Sequence, residues 1–167
     1  AAKLLEAGSE INAKNELGVA PLSIACRNGS LAMVTTLLAQ GADPLTEEPS
    51  GETALMTCAR TGSAGAVIQL LAGGANPNAL ETNSGQSALM WAASGGHTSA
   101  VRALIEAGAN TNAQSRGNFS PLMFAARAGA LEVAGLLLEA GATVNTSTTD
   151  GLSPLLIAAA SLDAITG

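Results

Sequence analysis

Residues 85–117 read GQSALMWAASGGHTSAVRALIEAGANTNAQSRG, and the fold turns on the fact that this stretch recurs along the rest of the chain. Its apolar pair Leu104-Ile105 stands in step with Leu4-Leu5, Leu37-Leu38, Leu70-Leu71 and Leu137-Leu138, at intervals of 33, 33, 34 and 33 residues. The glycine after the pair, Gly108, has equivalents at Gly8, Gly41, Gly74 and Gly141. The opening Gly85 is in register with Gly18, Gly51, Asn118 and Gly151. Two marker sets in phase over the whole chain describe a stack of supersecondary units, none of which buries its apolar face alone.

Each period predicts two short helices. Pro21, Pro121 and Pro154 stand where a first helix begins, because a locked φ is already helical and the missing N–H has no partner there. Ser120 and Ser153, one residue earlier, are placed to cap the first free amides. Gly29, Gly62, Gly96 and Gly129 fall where that helix ends in a left-handed residue. A second helix follows from Ser30, Ser63, His97 or Ala130, with Met33, Val34, Leu37 and Leu38 on one stripe, as are Val101, Leu104 and Ile105. Ala54 and Ala88 replace the proline and Ala20 the hydroxyl, so looser helix starts are expected there. Gly65 and Gly73-Gly74 add to this and mark 51–84 as the unit expected to open first.

The recurring pieces GVAPL (Gly18–Leu22), GETAL (Gly51–Leu55), GQSAL (Gly85–Leu89), NFSPL (Asn118–Leu122) and GLSPL (Gly151–Leu155) resemble the helix-starting motif of ankyrin repeats. The closing Gly41-Ala-Asp-Pro, Gly74-Ala-Asn-Pro-Asn, Gly108-Ala-Asn-Thr-Asn and Gly141-Ala-Thr-Val-Asn, with Gly96-His97 between helices, complete the resemblance. It implies an all-α solenoid of stacked helix-turn-helix units with protruding β-turn or hairpin loops. The expected organisation is one array over 1–167: a partial repeat at 1–17, full repeats at 18–50, 51–84, 85–117 and 118–150, and a partial repeat at 151–167. Neither end shows the polar terminal unit that arrays use, so a window on a longer protein is expected, with continuation of the array or assembly contacts at both ends.

Where the family places histidine after Pro-Leu, this chain has Ser23, Met56, Met90, Met123 and Leu156. Methionine fills irregular gaps, so this stripe is expected to be core between units rather than a binding strip. Trp91 beside Phe124 of the next unit is also expected to be core rather than a ligand cage. The composition fits: 47% of residues are apolar but only 2% aromatic, as close-packed thin helices require.

Catalytic, cofactor-binding and metal-ligating residues are all expected to be none. His97 is the sole histidine, which rules out a histidine-based metal site, and no phosphate loop or nucleophile turn is present. Cys26 and Cys58 are one position out of phase when aligned by motif, so they are expected to be buried small residues rather than a disulfide. Seven basic against thirteen acidic residues give a net charge of −6, which disfavours nucleic acid and anionic membrane surfaces as partners. No apolar run has membrane-spanning length.

The resemblance implies a non-enzymatic protein-interaction scaffold, with a structural segment of a larger assembly or a regulatory segment of a larger enzyme as alternatives. In such arrays contact falls on what the motif leaves free. Here these are the ends of the first helices, Arg27-Asn28, Arg60-Thr61, Ser94 and Arg127, and the loop tips and the residues just after them, Glu47, Glu48, Glu52, Glu81, Gln86, Arg116, Phe119 and Leu152. An arginine row beside an acidic rim is suited to a partner's acidic or mixed-charge segment. The equal alternative is that each arginine pairs with its own rim carboxylate or stays solvated.

Overall fold

The computed structural model describes the backbone over residues 10–166 and side chains over 10–160. The half-helix expected over residues 1–8 lies outside the described residues. Four helix pairs and a further inner helix succeed one another: α1 (Pro21–Arg27) with α2 (Leu31–Ala39), α3 (Ala54–Arg60) with α4 (Ala64–Ala72), α5 (Ala88–Ser94) with α6 (Thr98–Glu106), α7 (Pro121–Arg127) with α8 (Leu131–Glu139), and then α9 (Pro154–Thr166). Inner helices α1, α3, α5, α7 and α9 stack on one another, and outer helices α2, α4, α6 and α8 form a second layer. Among the described residues there is no strand beyond an isolated bridge between Glu47 and Thr53 in one loop.

Each inner helix starts where the sequence places it, but with a firmer start than expected at two of them. The Thr53 hydroxyl accepts from the Met56 amide at 3.2 Å and the Ser87 hydroxyl from the Met90 amide at 3.3 Å. A side-chain cap contributes about 1 kcal/mol, which offsets the missing proline at Ala54 and Ala88. At α1 the proline is present and the hydroxyl absent. Either device is enough to begin a seven-residue helix that packing then holds.

The core is one continuous seam. Leu22, Leu55 and Leu89 of the inner helices, together with Val34, Leu70, Leu104 and Leu137 of the outer ones, are buried. Met56, Met90 and Met123 are fully buried, which makes the methionine stripe core as the sequence suggests. Alanine fills the remaining contact positions and lets the helices approach. Gly65 and Gly73 also serve packing: a Cβ on Gly65 would lie 2.9 Å from Leu31 Cδ2, and one on Gly73 would lie 3.2 Å from Pro44. Gly65 inside α4 and Gly73 at its C-cap are thus also sites of close approach between neighbouring pairs.

The loop tips repeat a shared geometry. Asn118 replaces the tip glycine and adopts φ 59°, a left-handed conformation that asparagine tolerates better than most residues. Successive tips are joined by backbone bonds, Thr82 N–H to Ser50 O and Arg116 N–H to Ser84 O, both at 2.8 Å. A second link is an asparagine clamp at the base of the tip. Asn78 accepts from the Asn110 amide at 2.7 Å and donates to Gly108 O at 3.0 Å. Asn112 does the same with Thr143 and Gly141, and Asn12 with Asp43 and Gly41.

The two cysteines correct the sequence reading. Cys26 of α1 and Cys58 of α3 form a disulfide, with Cα atoms 4.5 Å apart. Equivalent positions on stacked helices point the same way and cannot face each other, whereas a pair offset along the motif can. The phase difference that argued against the bond is therefore what allows it, and the alanine-lined contact supplies the short distance.

Candidate protein-binding face

The ends of the inner helices and the loop tips form one face, and its charges are already partly matched. Arg27, the last residue of α1, places one guanidinium nitrogen 2.6 Å from each carboxylate oxygen of Glu48. Arg60, the last residue of α3, reaches Glu52 Oε1 at 3.4 Å, and the same oxygen accepts from the Thr57 hydroxyl at 2.7 Å. Exposed ion pairs of this kind contribute about 0–1 kcal/mol. For Arg27 and Arg60 the pairing alternative holds, although both side chains keep 41% and 52% of their surface exposed.

Arg127 lies against two rings. Its guanidinium lies 5.6 Å from the ring centre of Phe119 and 5.0 Å from that of Phe124, and the two rings are 5.7 Å apart. Arg60 has a ring as well, since its guanidinium lies 4.9 Å from the centre of Trp91 in the following pair. Contacts of a guanidinium with an aromatic face contribute about 0.5–1 kcal/mol when exposed. Trp91 is therefore not simply core. It is half-buried, and its Nε1 has no hydrogen-bond partner among the described residues. Sequence spacing held part of the signal: Phe124 and Arg127 are three apart on one helix, so Arg127 stands over the residue one turn back. Arg60 leans onto the next pair instead because the equivalent end there is the short Ser94-Gly95.

Between these two platforms the face is hollow. Arg60, Gln86, Trp91, Ser94 and Gly95 line a depression of about 340 Å³. Ser94 is exposed and Gln86 half-buried at its edge. Asn28 and Glu47 are exposed at the α1 end of the face, Arg116 at a tip and Leu152 at the α9 end.

Three of the residues expected on the face are occupied in building it. Glu81 is 6% exposed, and its carboxylate accepts from the amides of Asn83 at 2.7 Å, Ser84 at 2.8 Å and Gln86 at 3.0 Å. Burial alone pushes this carboxyl up, but the three amides and the nearby charge of Arg116 outweigh it and hold the group below the usual carboxylate range. Glu81 closes its loop as the side chains of Asn15, Ser115 and Thr148 close theirs. Glu48 is 9% exposed with both oxygens on Arg27. Thr61 directs its hydroxyl to the carbonyls of Cys26 and Cys58, at 3.1 Å each. All three are turned into the array: Glu81 satisfies the amides of its own loop, Glu48 pairs with Arg27, and Thr61 ties the ends of α1 and α3.

Among the described residues no three His, Cys, Asp or Glu side chains gather as metal ligands, and no helix is long and apolar enough to cross a membrane. A family model described as ankyrin repeats (3 copies) matches residues 1–81 and residues 64–148. Comparison with curated proteins gives no match.

Proposed function

The chain belongs to the ankyrin repeat family, and on that premise we propose that it is a non-enzymatic scaffold that holds a partner protein against the ends of its inner helices and the adjoining loops. Repeats of this family are generally protein-interaction modules. The observation that carries the finer reading is the pair of arginine–aromatic platforms, Arg60 on Trp91 and Arg127 on Phe119 and Phe124, on either side of the short Ser94-Gly95 end. A guanidinium held by a ring is pre-ordered, so it loses less rotamer freedom when a partner arrives. The chemistry suits a segment that carries carboxylates among apolar side chains: carboxylate for Arg60 and Arg127, apolar contact for Trp91, Phe119 and Leu152. Arg27, Asn28, Glu47, Glu52, Gln86, Ser94 and Arg116 surround these groups and complete the proposed contact set.

Changing Arg27, Arg60 and Arg127 together to alanine is expected to weaken capture of the native partner about thirtyfold, the factor for roughly 2 kcal/mol of desolvated contact. Helix content by circular dichroism should be unchanged and melting lowered by only a few degrees, since the ion pairs and ring contacts are each worth about 1 kcal/mol or less. Unchanged affinity in a folded triple variant refutes the role of the arginines.

A second reading, a structural segment of a larger assembly, is favoured by one observation. Leu131 is 84% and Leu155 78% exposed on the rim of an apolar groove of about 520 Å³ between α7, α8 and α9. At the equivalent place in the first pair α4 packs on α2, and Leu31, against Gly65, is 42% exposed.

A further inference from the structure

One junction in the array lacks its clamp. Leu45 stands where Asn12, Asn78 and Asn112 stand in the other tips, and its side chain is 58% exposed. The next tip's Gly74 carbonyl and Asn76 amide, the groups an asparagine there would hold, receive no such bond among the described residues. That junction lies between the pairs α1–α2 and α3–α4. It is also the junction that carries the disulfide, Cys26 to Cys58, while those joined by Asn12, Asn78 and Asn112 have no cysteine pair. The covalent link and the missing clamp thus coincide.

We propose that Cys26–Cys58 is a redox site whose disulfide form fixes, and whose dithiol form releases, the junction between the first and second helix pairs. The co-reactant is a dithiol. One of its thiolates attacks one cysteine sulfur, the S–S bond breaks, and the other cysteine leaves as a thiolate that takes up a proton. The second thiol of the reagent then displaces the first cysteine from the mixed disulfide. Two electrons and two protons pass to the protein, and the reagent ends as its own disulfide. Both cysteines are fully buried, so the attack waits on separation of α1 from α3. The absent clamp makes that separation easier here than at any clamped junction. In the reduced form the inner helices keep the hydroxyl of Thr61, which bonds to both cysteine carbonyls, and the packing of Ala25 and Ala59. The tips keep Thr82 to Ser50. The released junction is therefore loosened rather than undone.

The test uses the whole chain, first oxidised with oxidised glutathione and then treated with dithiothreitol. Thiols are counted by maleimide labelling in denaturant, and amide exchange is followed by mass spectrometry. Before dithiothreitol the cysteines should resist labelling, and afterwards both should label. Exchange over residues 21–39 should be about five-hundredfold faster in the dithiol form, as expected for losing a cross-link that closes a loop of 32 residues. Exchange over residues 98–139 should stay within twofold. Leu45→Asn, which supplies the missing clamp, should slow reduction by dithiothreitol about tenfold, the factor for two added hydrogen bonds. Cysteines that label without reductant overturn the proposal. So does exchange over 21–39 that differs less than twofold between the forms, or a Leu45→Asn chain that is reduced at the parent's rate. Neither readout involves a partner, so failure here leaves the binding reading untouched, and failure of that reading leaves this one.

Discussion

Replacing Gly62 with alanine is expected to cost about 2–4 kcal/mol, while the same change at Gly129 costs only about 1–2 kcal/mol. Both glycines end an inner helix in the left-handed region, at φ 72° and 64°. A left-handed backbone costs a residue with a Cβ roughly 1–2 kcal/mol, and this part is common to both sites. The difference lies in what the new methyl group meets. At Gly129 nothing lies within 4 Å, whereas at Gly62 a Cβ would sit 2.5 Å from His97 Nδ1 and 2.8 Å from Cε1. The rigid ring must move as a body. It cannot do so and keep the bond that its Nε2 donates to Arg60 O at 2.9 Å, worth about 1 kcal/mol. That bond joins the second helix pair to the third, so the variant should loosen their junction as well as strain one residue. Urea denaturation of the two variants measures the difference. Equal losses would show that His97 yields freely and that its contact adds nothing to the stack.

Leu104→Ala is expected to lose about 2–5 kcal/mol, with the damage confined to the middle of the array. Leu104 is fully buried in α6, which packs on α4, α5 and α8. Truncation forfeits transfer energy and leaves a space that flanking alanines are too small to fill. In a single-cored domain such a loss lowers protection everywhere. In a stack of nearest neighbours it should raise amide exchange in α4 to α8 and leave α1 within about twofold of the parent. Uniform acceleration along the chain would mean that the array unfolds as one unit.

Most of the architecture was legible because it is fixed locally. A proline or a hydroxyl starts each inner helix, and a glycine that tolerates positive φ ends each of the first four. The interval between markers sets the stacking without reference to distant contacts. What escaped depends on how side chains face across units. Motif alignment puts Cys26 and Cys58 out of phase, and only the stacked helices show that out-of-phase positions are the ones that meet. The asparagine clamps are visible in sequence as part of a closing Gly-Ala/Ser-x-x-Asn, but their partners lie in the next loop, 29 to 32 residues on. The arginine row was placed correctly at the ends of inner helices. Which of its members meet a ring depends on neighbours: Ser94 leaves room for Arg60 to lie on Trp91, and Phe119 follows its tip closely enough to meet Arg127. Glu81 looked like a rim charge because sequence cannot show that three loop amides converge on its carboxylate.

The most direct measurement of the central claim is site-specific photo-crosslinking in the presence of the native partner, with the photoreactive residue placed either at Ser94, in the hollow between the two arginine–aromatic platforms, or at Ile68, which is 56% exposed on outer helix α4. A partner held on the inner-helix ends and loops must crosslink from Ser94 and not from Ile68. Crosslinking from Ile68 alone would place the partner on the outer layer and contradict the account.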